Sequence, residues 1–207
     1  TISTTADGAT SVTTADVDGD GDMDVLSTSA NDDKIAWYEN DGSENFTEHS
    51  ISTTADNARS VTTADVDGDG DLDVLSASIN DDKIAWYEND GSENFIEHTI
   101  STTADGATSV TTTDVDGDGD IDVLSASNYD DTIAWYENDG SESFTAHTIS
   151  TAADGAHSVT TADVDGDGDM DVLSASGNDD KIAWYDLNLT YTGLSTLDFN
   201  SLNLVEG

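Results

Sequence analysis

The string Asp-Val-Asp-Gly-Asp-Gly-Asp begins at Asp16, Asp65, Asp114 and Asp163, a strict period of 49 residues. Trp37, Trp86, Trp135 and Trp184 keep the same phase, as do Ile2, Ile51, Ile100 and Ile149, and Val12, Val61, Val110 and Val159. A unit this short cannot bury both of its faces alone, so neighbouring copies must stack and share a core. Four copies occupy about 2–50, 51–99, 100–148 and 149–185, which makes 1–185 one repeat array. After Tyr185 the pattern stops, and residues 186–207 read as a separate C-terminal tail that caps the array or serves as an assembly strand.

Within one copy, Ser11 to Ala15 and Met23 to Ser29 are rich in Val, Thr and Leu and flank the Asp/Gly loop, which reads as two strands joined by that loop. Lys34 to Asn40 follows the Asn31-Asp-Asp turn as a third strand, and Phe46 to Ser52 follows Asp41-Gly-Ser-Glu as a fourth. No stretch keeps a 3.6-residue period over three turns, so the expected fold class is all-β. Four antiparallel strands in roughly 49 residues is the size of one β-propeller blade. A Trp repeated mid-strand in phase with Ile belongs to the core between blades. Tyr38, Tyr87, Tyr136 and Tyr185 then point to the opposite face.

The chain of 207 residues holds 46 acidic and 4 basic residues, a formal charge of −42. Nucleic acid is thereby excluded as a partner, because phosphate recognition needs clustered Lys and Arg. With 35% hydrophobic residues, the composition lies near that of chains unable to fold, so something must offset the repulsion. There is no cysteine, hence no disulfide and no thiolate metal site. No apolar run approaches the ~18 residues of a membrane span. A first residue of Thr1 without a signal-like segment reads as a processed or excised piece of a longer product.

The offset is sought in the loop. Each copy places Asp at positions 1, 3, 5, 7 and 9 of a nine-residue bend: Asp16, Asp18, Asp20, Asp22 and Asp24; Asp65, Asp67, Asp69, Asp71 and Asp73; Asp114, Asp116, Asp118, Asp120 and Asp122; Asp163, Asp165, Asp167, Asp169 and Asp171. Five carboxylates so close repel one another unless a cation sits among them. All-oxygen ligation on a flexible loop selects Ca²⁺ over octahedral Mg²⁺, about four ions in all. Asp at 1, 3 and 5 with Gly at 6 matches the front half of an EF-hand loop, with the main-chain carbonyl of Asp22 at position 7. Position 12, however, is Ser27, and the flanks read as strands, so the carboxylate of Asp24 at position 9 is expected to close the sphere.

These motifs, with Ile35-Ala-Trp-Tyr-Glu-Asn40 and its three counterparts, resemble the FG-GAP/VCBS repeat family over residues 2–185. The resemblance implies calcium-binding blades similar to those of integrin α-subunits and some fungal lectins. It places Ca²⁺ between a blade's first two strands, held by the twenty aspartates named above. The Phe-Gly and Gly-Ala-Pro signatures are missing, and such propellers commonly have about seven blades where this chain has four. The expectation is therefore a closed small propeller, or an open arc completed by a neighbouring subunit.

The fourth copy lacks its own fourth strand, while Thr1-Ile-Ser-Thr is in phase with the end of one. That segment could complete the last blade of its own chain or of another. Leu187, Leu189, Tyr191, Leu194, Leu197, Phe199, Leu202 and Leu204 make the tail apolar, which points to self-association through terminal strands. No singular catalytic constellation stands apart from the fourfold pattern, so an enzyme is not expected. His49, His98 and His147 share one strand position and read as structural, and His157 as a variable exposed site. The expected function is a secreted or cell-surface calcium-binding structural or adhesive repeat protein, the subunit of a head-to-tail filament. A glycan or a cell-surface protein is the candidate ligand, and the alternatives are a carbohydrate-binding lectin-type propeller, with Tyr129 a candidate contact, and an accessory module of a secreted enzyme. Asn45-Phe-Thr47 and Asn188-Leu-Thr190 fit the N-glycosylation triplet.

Overall fold

A computed structural model describes residues 1–187. The first sheet holds β1 (Ala9–Ala15), β2 (Asp24–Ser29), β3 (Lys34–Asn40) and β4 (Phe46–Ser52). The second holds β5 (Ala58–Ala64), β6 (Asp73–Ser78), β7 (Lys83–Asn89) and β8 (Phe95–Ser101). The third holds β9 (Ala107–Thr113), β10 (Asp122–Ser127), β11 (Thr132–Asn138) and β12 (Phe144–Ser150). The fourth holds β13 (Ala156–Ala162), β14 (Asp171–Ser176) and β15 (Lys181–Tyr185). Every sheet is an antiparallel meander in sequence order, and none closes into a barrel. The chain is thus all-β, and no helix among the described residues is long and apolar enough to cross a membrane.

Four strands per copy hold for the first three sheets. The fourth has three among the described residues, because the chain leaves the repeat at Asp186. Expectations that fall on residues 188–207, including the assembly strand and the Asn188 triplet, lie outside the described residues. At the other end, Thr1 to Gly8 forms no strand, and Thr5 Oγ1 donates to Glu48 Oε2 of β4 at 3.2 Å.

Pleating sends Trp and Tyr of the third strand to opposite faces, as anticipated. Trp37 pairs with Leu26 and His49, and Tyr38 with Val25 and Glu48. The Trp face of one sheet packs on the Tyr face of the next. Val17, Leu26, Ile35 and Trp37 meet Val61, Val74, Ala85 and Tyr87 in one core cluster, and the two later interfaces repeat the arrangement. Burying one indole contributes on the order of 4–6 kcal/mol, from ~150–250 Å² at ~25 cal/mol/Å². Trp37, Trp86 and Trp135 are all fully buried.

The first strand starts at Ala9, two residues before the sequence suggested, because a bulge between Ala9 and Ser11 keeps the ladder going. The hydroxyl of the bulged Thr10 lies 2.7 Å from Ala58 O of β5 and 3.2 Å from Thr28 O of its own sheet, and so bridges the two sheets. Thr108 makes the same link to Ala156 O of β13 at 3.0 Å. A second staple comes from the turn between second and third strands. Asp33 adopts a left-handed conformation (φ 54°), which Asp tolerates. Its carbonyl and carboxylate accept the Ala55 and Asn57 N–H groups of the linker to the second sheet, at 3.1 and 2.9 Å.

Candidate metal centres

The Asp/Gly loops connect the first two strands of each sheet. Gly21 permits the bend, at φ +95°, where a side chain would be strained. Backbone N–H groups pin the acids. Asp16 Oδ2 accepts from Gly21 at 3.0 Å, Asp18 Oδ1 from Asp20 at 3.1 Å, and Asp20 Oδ1 from Asp22 at 2.8 Å. The last two are Asx turns, in which a short carboxylate caps the backbone two residues on and keeps its other oxygen available.

Position 9 is different. Asp24, Asp73 and Asp122 are wholly buried, each as the first residue of the second strand. The two oxygens of Asp24 each accept one backbone N–H, from Asn40 at 2.8 Å and Val17 at 3.0 Å. Asp73 repeats this with Asn89 and Val66, and Asp122 with Asn138 and Val115. The carboxylate is thereby held in one orientation while keeping acceptor capacity for a ligand.

The structure brings together positions 1, 3 and 9. One carboxylate oxygen from each of Asp16, Asp18 and Asp24 lies within 4.8 Å of the others, and Asp65, Asp67 and Asp73, Asp114, Asp116 and Asp122, and Asp163, Asp165 and Asp171 do the same. Positions 5 and 7 are not members of these groups in the first three loops, although the position 5 charge acts on position 3. Asp20, Asp69 and Asp118 are exposed, and their side chains cap the turn. The carboxylates of Asp22, Asp71 and Asp120 lie against Gly42, Gly91 and Gly140, so closely that a Cβ there would collide with them. In the fourth copy Asp167 joins Asp165 and Asp186 in a further group. Asp169 remains in the loop, with its carboxyl raised by burial and then by the charge of Asp167.

Electrostatics oppose this crowding in the absence of a cation. Burial pushes the Asp73 carboxyl up to about 6, against the Asn89 and Val66 N–H groups and the Trp86 indole, which lower it. Burial takes Asp122 to about 7 and Asp116 to about 6, with the charge of Asp118 adding to the latter. Asp18, Asp67 and Asp165 are raised for the same leading reason. In the first three loops, where positions 1 and 3 are half-buried and position 9 is buried, two like charges at such separations cost roughly 3 kcal/mol per pair at an effective dielectric near 20. Asp16 Oδ1 is in addition buried with no hydrogen-bond partner. An orphaned oxygen beside two carboxylates, with only hard oxygen donors around it, fits a divalent cation of the calcium type.

Several contributing residues were not singled out from sequence. Asn40, Asn89 and Asn138 end the third strand yet supply the N–H that fixes the buried acid. Their signal is an Asn at one repeat position, replaced by Leu187 in the fourth copy. Asp186, the counterpart of Glu39, is the second. The histidines proved to be a packing device. His49 stacks on Trp37 with ring centroids 4.5 Å apart and its Nε2 lies 2.8 Å from Glu39 Oε2, a trio repeated at His98 and His147. His157 is exposed, and Tyr129 is 62% exposed over Gly106.

The family model described as an FG-GAP-like repeat matches residues 16–76, 65–125 and 114–174. No curated protein matches the chain. Among solved structures, the crystal structure of the V. cholerae biofilm matrix protein Bap1 is similar with a TM-score of 0.57 and 22% sequence identity. The likeness is one of fold, and it covers 85% of this chain and 26% of that one.

Proposed function

This chain belongs to the FG-GAP-like repeat family, and from that membership we propose that it is an extracellular structural protein built of calcium-loaded propeller-type blades. The observation that carries the reading is the fourfold cluster of loop carboxylates, three of its four copies closed by a wholly buried aspartate. Asp16, Asp18 and Asp24 and their counterparts supply one side-chain oxygen each. Asp20 and its counterparts add their uncapped oxygen, and position 7 its main-chain carbonyl. Bound calcium supplies charge neutralisation and cross-links the two strands. The chain itself orients the ligands through its backbone N–H groups. Catalysis has no place in this reading, since the polar groups recur by repeat. A fold shared with a biofilm matrix protein supports an extracellular setting.

We further propose that the blades form an open arc whose ends mate with other copies of the chain, giving head-to-tail filaments. Val12 on the outer face of the first sheet is 69% exposed and Ile182 on the outer face of the fourth is 72% exposed. These are the Tyr-type and Trp-type faces that pair in every interior interface, so one copy's last sheet is complementary to another copy's first. Calcium titration by calorimetry tests the first proposal: uptake of about four ions is expected, and no uptake overturns it. Analytical ultracentrifugation of the parent and of Ile182→Lys tests the second. The expected result is association that the substitution weakens, and a monomeric parent at all concentrations overturns it.

A further inference from the structure

We propose that the cation sites of the first three sheets are coupled in series, with Asn89 and Asn138 as the positioning residues that couple them; this rests on the calcium reading above. Asn89 is 2% exposed and faces two loops at once. Its side-chain amide donates to Val17 O, one residue after Asp16 in the first loop, at 3.2 Å, and to Leu72 O, one residue before Asp73 in the second, at 3.3 Å. The Val17 peptide holds Asp24 through its N–H, and the Asn89 N–H holds Asp73. Any adjustment of Asp24 that accompanies ion binding is therefore passed through the two peptide groups that flank Val17 and the side-chain amide of Asn89 to the buried acid of the next site. The link repeats: Val66 donates to Asp73 at 2.9 Å, and its carbonyl accepts from Asn138 at 3.1 Å. Asn138, 1% exposed, holds Asp122 through its own N–H at 2.8 Å.

The series runs Asp24, Val17, Asn89, Asp73, Val66, Asn138, Asp122 and Val115. It is a contiguous network of buried hydrogen bonds, one of the physical routes by which coupling between sites is carried. It stops at the fourth sheet, where the position of Asn138 is occupied by Leu187, a buried side chain with no donor, packed in the cluster that contains Val115. The first three sites thus form one block and the fourth titrates by itself.

The test is calorimetric titration of the full chain with Ca²⁺, in the parent and in Asp18→Asn, a near-isosteric change that weakens the first site while keeping the acceptor for the Asp20 N–H. In the parent background, Asp18→Asn should lower the affinity of the remaining block by about five-fold, the lower end of usual coupling. In an Asn89→Leu background, whose fold is checked by circular dichroism with calcium present, it should leave the other sites unchanged. Should Asn89→Leu not fold, Leu187→Asn provides the reverse test: Asp165→Asn should then weaken the third site, which it does not in the parent. If Asp18→Asn leaves the other sites of the parent untouched while they still bind, the coupling is refuted and the calcium reading stands. If the parent takes up no calcium, both fall.

Discussion

The interior sheets and the two terminal ones are made from nearly the same residues, yet their surroundings differ sharply. The valine that follows the first loop aspartate is 4%, 4% and 3% exposed at Val17, Val66 and Val115, and 45% exposed at Val164. The inner-strand valine is 6%, 5% and 5% exposed at Val61, Val110 and Val159, but 69% at Val12. Each loop is roofed by the sheet that follows it, and each inner strand is walled by the sheet before it. The same 49 residues therefore differ in stability according to their neighbours, as in any array whose units share interfaces.

Stripping the ions with a chelator should have the largest effect, since each site filled at ~100-fold above its dissociation constant contributes about 2.7 kcal/mol. Thermal melting is expected to drop steeply, and hydrogen exchange to show the fourth sheet opening before the second. Simultaneous opening of all four would break the comparison. Next in size is the indole pair. Trp86→Ala should cost about 3–5 kcal/mol in denaturant unfolding, whereas Trp184→Ala, on a half-covered face, should cost less than half as much. Equal losses would mean that the outer face of the fourth sheet is as well packed as the interior.

The ion-free protein should also respond to pH, by an amount on the order of a few kcal/mol. Asp73 and Asp122 have folded-state values of about 6 and about 7, above the 3.8 of an ordinary aspartate. Folding then favours the protonated acids, so their contribution is fully present below pH ~4 and is lost as pH rises through 6–7. Melting temperature in chelator should fall across that window, and saturating calcium should abolish the fall. The smallest contrast is Val61→Ala, expected to cost ~1.5 kcal/mol from the lost methyl groups, against Val12→Ala, expected within ~0.5 kcal/mol of the parent. Melts of the two variants, read side by side, give the interior-to-edge difference directly.

Much of this was legible in the chain because repetition turns a weak local signal into a strong one. The strand pattern, the Trp and Tyr faces and the acidic bend all recur in phase, with the fourth strand present in the first three copies. What stayed hidden depends on partners far apart in sequence. Asn89 reads as a strand-ending polar residue, and only its reach to Val17, 72 residues back, shows it touching two loops. The five aspartates of one loop look equivalent, yet burial singles out position 9 and the approach to Gly42 turns position 7 away. His49 gives no hint of its stacking until β3 and β4 are set side by side, with Trp37 opposite it.

The linker staple at Asp33 has a mechanical consequence. The chain leaves the first sheet at Ser52 and enters the second at Ala58, and between them two of its N–H groups are tied to one residue of a hairpin already passed. Asp82 ties Ala104 and Gly106 in the same way, and Asp131 ties Ala153 and Gly155. A pull along the polypeptide loads both ties at every junction, so a linker can extend only after its two hydrogen bonds to the preceding hairpin have broken.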